Sequence, residues 1–289
     1  METSELIKKI RRLEIKTKGL TKHIFSGEYH SAFKGRGMAF SEVRDYTIGD
    51  EVRTIDWNVT ARYSTPYVKV FEEERELTVM LIIDVSGSSA FGSQDRSKKD
   101  VALEVAALLA FSAIANNDKV GALFISDKVE RYITPEKGKQ HALVILRELI
   151  EFKPTSQATN LTEGLKFFRN TQKKRTISFV ISDFIDENNF MDALRLTRKR
   201  HDLIAIKISD HAEKELPNAG FIRFFNAETG ETSWVNSGSE EVRNQFEALF
   251  NEREKAITTN FKRSGIDCVS LTTQSDFIPP LVQLFKRRS

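Results

Sequence analysis

Two apolar, β-branched runs in this chain each end in an aspartate, and that pairing constrains the fold more than any other feature. Leu77-Thr78-Val79-Met80-Leu81-Ile82-Ile83 leads into Asp84, and Thr176-Ile177-Ser178-Phe179-Val180-Ile181-Ser182 leads into Asp183. Runs of this composition read as buried strands. In an open α/β sheet, ligands bind outside the carboxyl ends of the strands, where both aspartates would stand.

The intervening sequence alternates strand and helix. Residues 77–84 form strand one, 101–115 a helix apolar nearly all round, and 120–125 strand two. Only Asp127-Lys128 separates strand two from strand three at 129–133. So short a link cannot make a parallel crossover, which leaves strand three as an antiparallel edge. Helices over 142–152 and after Asn160 lead to strand four at 176–183. A helix at 190–200 and strand five at 203–208 follow. Runs at 221–225 and 232–235 flank Asn226-Ala227-Glu228-Thr229-Gly230 and read as a hairpin. A long helix over 242–261 closes near Gly265, the sheet ends with 269–271, and a last helix spans 277–285 with Pro279 near its start.

This pattern predicts a doubly wound, mostly parallel α/β sheet of the Rossmann type, with one antiparallel edge strand and helices on both faces. With the order 3-2-1-4-5-6, strands one and four are neighbours and the switch point lies between them. Residues 1–76, richer in turns and poorer in apolar runs, form an N-terminal extension. The α/β domain covers 77–275, and 276–289 is a C-terminal helix.

At the crevice, Asp84-Val85-Ser86-Gly87-Ser88 offers a carboxylate and two hydroxyls. Asp183 adds a second carboxylate, and Thr159 a third hydroxyl at a helix start. Hard oxygen donors in this mixture suit Mg²⁺. Singly, Ser86, Ser88 and Thr159 are explained as turn or N-cap residues; the five groups together point to a metal site. Catalysis finds less support. An aspartyl phosphatase usually carries a second Asp two residues on, where this chain has Ser86. Gly87 and Gly92 have the spacing of a phosphate loop, but Ser93-Gln94 replaces its Lys-Ser/Thr pair. A serine nucleophile would need a His base, and none of His23, His30, His141, His201 and His211 reads as standing at a later strand end.

Charge and composition narrow the rest. The formal net charge of +3, from 44 basic and 41 acidic residues, does not imply a nucleic-acid partner. The basic clusters at 173–175, 198–200 and 286–288 read as solvated element ends. A binder of nucleic acid or anionic surfaces is the rival class, and it predicts steep salt dependence without a metal requirement. The lone Cys268 excludes an intrachain disulfide and reads as core. Residues 1–14 form an amphipathic helix rather than a signal peptide. No run approaches the roughly 18 apolar residues of a membrane span, so a cytoplasmic protein without direct membrane insertion is expected.

Asp84-x-Ser86-x-Ser88, Thr159 and Asp183 together resemble the metal-ion-dependent adhesion site of von Willebrand factor type A domains, over roughly residues 77–275. Ser89 and Phe184 depart from that pattern, Phe184 standing where many members have Gly. The preceding Phe33-Lys34-Gly35-Arg36-Gly37-Met38-Ala39-Phe40-Ser41-Glu42-Val43-Arg44-Asp45-Tyr46 resembles a bacterial family called domain of unknown function 58. So does Gly49-Asp50-Glu51-Val52-Arg53-Thr54-Ile55-Asp56-Trp57. The resemblance implies a non-enzymatic adaptor working with a MoxR-type AAA+ ATPase in assembly, maturation or stress pathways. It also implies Mg²⁺ or Mn²⁺ held by Asp84, Ser86, Ser88, Thr159 and Asp183, with an acidic residue of a protein client completing the shell. With three hydroxyls and few carboxylates, the cation would be left under-neutralised. Charges at Arg36, Arg44, Arg53, Asp45, Asp50 and Asp56 are expected to anchor the extension to the domain.

Overall fold

A computed structural model describes Arg11, Tyr29, Phe33 and residues 38–63, 65–73, 77–186 and 188–288. The amphipathic helix expected over 1–14 and Arg36 lie outside the described residues, Arg11 excepted.

The aspartate-terminated runs become β3 (Thr78–Asp84) and β6 (Ile177–Ser182), adjacent parallel strands in the middle of a six-stranded sheet. With β4 (Lys119–Ile125), β5 (Val129–Glu136), β7 (Asp202–Ser209) and β10 (Asp267–Thr272), the order is β10-β7-β6-β3-β4-β5. Every pairing is parallel except β4–β5. This is the expected order with the expected antiparallel edge. The reason lies in the pleat. Val79, Leu81 and Ile83 join a core on one face of the sheet, while Met80 and Ile82 join a second core on the other. A strand that must be apolar on both sides can only be central in a sheet covered twice.

The first core is completed by α2 (Lys98–Ala115), α3 (Lys139–Glu151) and α7 (Ile278–Lys286). Tyr29 and Phe33 are buried in it, their rings set edge-on to Phe285. The second core holds α4 (Leu161–Thr171), α5 (Phe190–Arg198) and the long α6 (Glu240–Arg263). Gly265, at φ +62, closes α6 as a left-handed cap. The α2 helix begins three residues before the expected start, because Ser97 and Asp100 form a capping box around Lys98 and Lys99.

Ahead of the sheet, β1 (Met38–Asp45) and β2 (Tyr67–Glu73) make an antiparallel ribbon, followed in space by the short α1 (Trp57–Tyr63). Three of the charges expected to anchor the extension to the domain pair within the extension instead: Arg44 grips Asp50 with two 2.8 Å hydrogen bonds, and Asp56 lies 3.4 Å from Lys69. These exposed pairs shape the ribbon itself and contribute little to stability. The expected hairpin is β8 (Phe221–Phe225) and β9 (Thr232–Asn236). Phe224 packs on Phe246 of α6, while Phe221, Phe225 and Trp234 remain exposed.

Candidate functional site

The carboxyl end of β3 places Asp84 at the switch point with its side chain buried. One oxygen accepts from the Ser86 amide at 3.0 Å and the other from Ser182 Oγ at 2.7 Å. The chain then turns into a short 3₁₀ helix (Gly87–Ala90), which brings Ser86 Oγ and Ser88 Oγ within 3.3 Å. The Gly87 amide donates to the Gln157 carbonyl at 2.8 Å, tying this turn to the loop that carries Thr159. From β6, Asp183 is buried beside Asp84, its Oδ1 accepting from the Ile185 amide at 3.0 Å. Burial first, then the neighbouring Asp183 charge, pushes the Asp84 carboxyl up to about 6, against the pull of its hydrogen bonds from Ser86 and Ser182.

A small cavity of about 20 Å³ opens between Asp84, Ser88, Ser89, Lys98, Ser182 and Asp183. That is room for about one water-sized occupant. Of the five sequence-derived residues, Asp84, Ser88 and Asp183 line the cavity, and Ser86 is bonded to Asp84 and Ser88. Thr159 does not line it: its hydroxyl donates to Glu228, and its loop meets the site through the Gln157 carbonyl.

Three further charged residues were not evident in the sequence. Lys98, from the first turn of α2, donates to Asp183 Oδ2 and to Glu213 Oε1, both at 2.6 Å, with its side chain 3% exposed. Burial alone would lower its pKa, but Asp183 and Glu213 outweigh burial and raise it. Glu213 also accepts from the Asp210 amide at 2.9 Å in a capping box just beyond β7. Glu228, at the tip of the β8–β9 hairpin, accepts from Thr159 Oγ1 at 2.8 Å. Burial, and then the charges of Asp183 and Asp186, raise its pKa, while the Thr159 hydrogen bond lowers it. The locale is thus richer in charge than the expected set of two acids and three hydroxyls. A D-x-x-E pattern after a strand was a readable hint of Glu213. Lys98 lies ahead of the helix start expected at 101, and Glu228 lies in the turn of the expected hairpin.

Two strand-end features need correction. A third strand end also carries an aspartate: Asp210 follows β7 and accepts from the Ser93 amide and Thr273 Oγ1, pinning the loop beyond the 3₁₀ helix. His211 does follow a later strand, contrary to expectation. It is half-exposed, with Nε2 3.5 Å from Glu215. Ser86 is hydrogen-bonded to Ser88 and Asp84, not to an imidazole. At position 184 the φ of +57 explains why glycine is favoured there. The left-handed backbone costs Phe184 about 1–2 kcal/mol, which its buried ring offsets by packing against Phe190 and Phe261.

The sequence profile described as "Protein of unknown function DUF58" matches residues 42–256. The chain belongs to the DUF58 family. The uncharacterized protein Rv1480 of Mycobacterium tuberculosis (strain ATCC 25618 / H37Rv) is 28% identical to this chain over 290 residues, covering 100% of this chain and 91% of that protein. Two solved structures are also similar to this DUF58 protein at 14% identity. The conserved hypothetical protein BatB from Bacteroides thetaiotaomicron gives a TM-score of 0.46 over 73% of this chain and 98% of its own. The SpRpn10 VWA domain gives 0.40 over 73% and 95%.

Among the described residues, no three His, Cys, Asp or Glu side chains form a metal-holding group, and no helix is long and apolar enough to cross a membrane. A carboxylate-rich cage is therefore not what this DUF58 site offers. Its two buried strand-end acids, hydroxyl donors and one-water cavity fit a small hard cation that retains part of its hydration. At the other end of β6 and β7, away from this cavity, burial first, and then the charges of Arg200, Arg175 and Arg169, lower the pKa of His201 to about 4.

Proposed function

We propose that this protein is a non-catalytic interaction module that holds Mg²⁺ or Mn²⁺ through Asp84, Ser86, Ser88, Thr159 and Asp183 and there captures an acidic side chain of a protein partner. The observation that carries this reading is the meeting of Asp84, Ser88 and Asp183 around one small cavity at the switch point of the sheet.

Asp84 and Asp183 supply the negative charge, and Ser182 and the Ser86 amide hold Asp84 in place. Ser86, Ser88 and Thr159 contribute neutral oxygens. A bound divalent ion would supply positive charge to the crevice and a coordination position open to an incoming carboxylate. Loss of one such contact leaves a desolvated charge uncompensated, so a single acid can dominate recognition. The family resemblance supports a MoxR-type AAA+ ATPase as the working partner and a cytoplasmic setting.

Titration calorimetry with Mg²⁺ and Mn²⁺ tests the site. Saturable binding is expected in the wild type and is expected to vanish in Asp84→Ala, with both proteins showing the same far-ultraviolet circular dichroism. Equal binding by both proteins would refute the assignment.

A further inference from the structure

The amino-terminal end of the sheet, opposite the crevice, gathers basic residues that the proposed function does not use. The chain enters β6 through Lys173-Lys174-Arg175 and β7 through Arg198-Lys199-Arg200. It enters β10 just after Lys262 and Arg263 end α6. Because β6, β7 and β10 are consecutive parallel neighbours, these three links stand side by side. Hydrogen bonds tie them together: Arg200 Nη1 donates to the Arg169 carbonyl at 3.3 Å, Arg198 Nε to the Gly265 carbonyl, and Arg195 Nε to Ser264 Oγ at 3.0 Å. The basic residues of the links are all exposed, and among the described residues none of them forms an ion pair. Cations earlier on the same helices do find acids: Lys166 pairs with Glu163 and Arg195 with Asp192. Asp202 and Asp267, at the starts of β7 and β10, are taken by Arg288, whose side chain is buried. Helix dipoles account for Arg198, Lys262 and Arg263, since cations favour helix carboxyl ends. They do not account for Lys173, Lys174 and Arg175, which stand beyond the last turn of α4.

We propose that this face docks the protein on an anionic phospholipid membrane surface. The strand starts lie at nearly one level, since Ile177 pairs with Asp202 and Asp267 with Ile204. The links therefore form a face rather than a groove. None of 169–175, 198–200 and 262–265 contains an aromatic residue on which a nucleic-acid base could stack. The helices that reach this face, α4, α5 and α6, meet it with their carboxyl ends, so it presents no helix for a DNA groove. A planar array of headgroup phosphates suits long cationic side chains spread over a flat face, and each Lys or Arg near such a surface adds about fivefold in affinity. The attachment is peripheral and screened by salt. It is independent of any metal. The crevice lies at the other end of the six-residue β6, roughly 20 Å away at the usual rise per residue, and stays open to a protein partner while the opposite end rests on the membrane.

Flotation of the full chain with vesicles of equal parts phosphatidylcholine and phosphatidylglycerol tests this. Binding is expected at about 0.1 M salt, is expected to fall about tenfold or more at about 0.5 M, and is expected to be absent with phosphatidylcholine alone. The variant Lys173→Gln/Lys174→Gln/Arg175→Gln is expected to bind about 100-fold more weakly. It breaks no ion pair, so its thermal unfolding should match that of the wild type. Lys128→Gln/Lys153→Gln/Arg223→Gln removes as many exposed cations from other parts of the molecule and should keep most of the binding. A wild type that ignores the anionic vesicles, or a first variant that binds them as the wild type does, would overturn the proposal. Equal loss in both variants would reduce the effect to net charge and overturn the docking face. Tighter binding to a short DNA duplex than to vesicles at equal phosphate, lost in the first variant, would overturn the membrane in favour of nucleic acid.

Discussion

Replacing Lys98 by methionine is expected to cost the metal-free protein about 3–5 kcal/mol of stability. The methionine has similar length and keeps the apolar contacts of the stem, so the loss isolates the charge. Lys98 is buried and bridges Asp183 and Glu213 at 2.6 Å each. Without it, Asp183 and Glu213 lose their shared ammonium, Asp183 stays beside Asp84, and the more distant Lys207 is the cation left within range of both; desolvated like charges must then either stay ionised at high cost or take up protons. Two consequences separate this from ordinary core damage. The deficit should shrink on acidification, because protonated acids no longer need the ammonium. It should also shrink on adding Mg²⁺, because the crevice loses a competing cation and the divalent ion then binds more tightly. Excess ligand at 100 times its Kd returns about 2.7 kcal/mol. Urea titrations at neutral and mildly acidic pH, with and without Mg²⁺, measure all of this. A deficit unmoved by Mg²⁺ would show that Lys98 replaces the divalent ion in this protein rather than sharing the crevice with it.

What could be read from the sequence was whatever depends on periodicity and chain connectivity. Residues 77–84 and 176–183 had to be central because apolar side chains occupy both of their faces, and Asp127-Lys128 had to make an antiparallel edge because the link is short. The same logic brought Asp84, Ser86, Ser88, Thr159 and Asp183 to one end of the sheet. Side-chain pairing across long separations left no such trace. Lys98 meets Asp183 after 85 residues and Glu228 meets Thr159 after 69, and each has a sufficient local explanation as a helix start or a hairpin turn. The Ser97–Asp100 capping box even disguised Lys98, since a lysine in a capped first turn normally points to solvent. Phe184 lies between these cases. Its departure from glycine was visible in the sequence, but the compensating contact with Phe261 of α6 was not.

The Asp84→Asn variant is expected to be more stable than wild type at pH 7.5 without metal, by on the order of 1–3 kcal/mol. Burial and Asp183 raise the Asp84 carboxyl from its ordinary value to about 6 in the folded protein. The folded state therefore holds this proton more tightly than the unfolded chain does. The stabilisation from protonated Asp84 is complete below the unfolded value near 4 and is lost as pH rises through about 6. At pH 7.5 the wild type carries a desolvated carboxylate next to a second one, while asparagine fills the same space without charge. The advantage of the variant should fade as pH falls towards 4, where both side chains are neutral. Saturating Mg²⁺ should reverse the order, because only the wild type gains from an ion bound to the folded state. Thermal unfolding of both proteins between pH 4 and 8, with and without Mg²⁺, checks every part of this. A variant less stable than wild type at pH 7.5 without metal would mean that Lys98 already neutralises the whole pair. The crevice would then have no charge left for a divalent ion to compensate, and the stability sacrificed at Asp84 would no longer argue for a ligand that restores it.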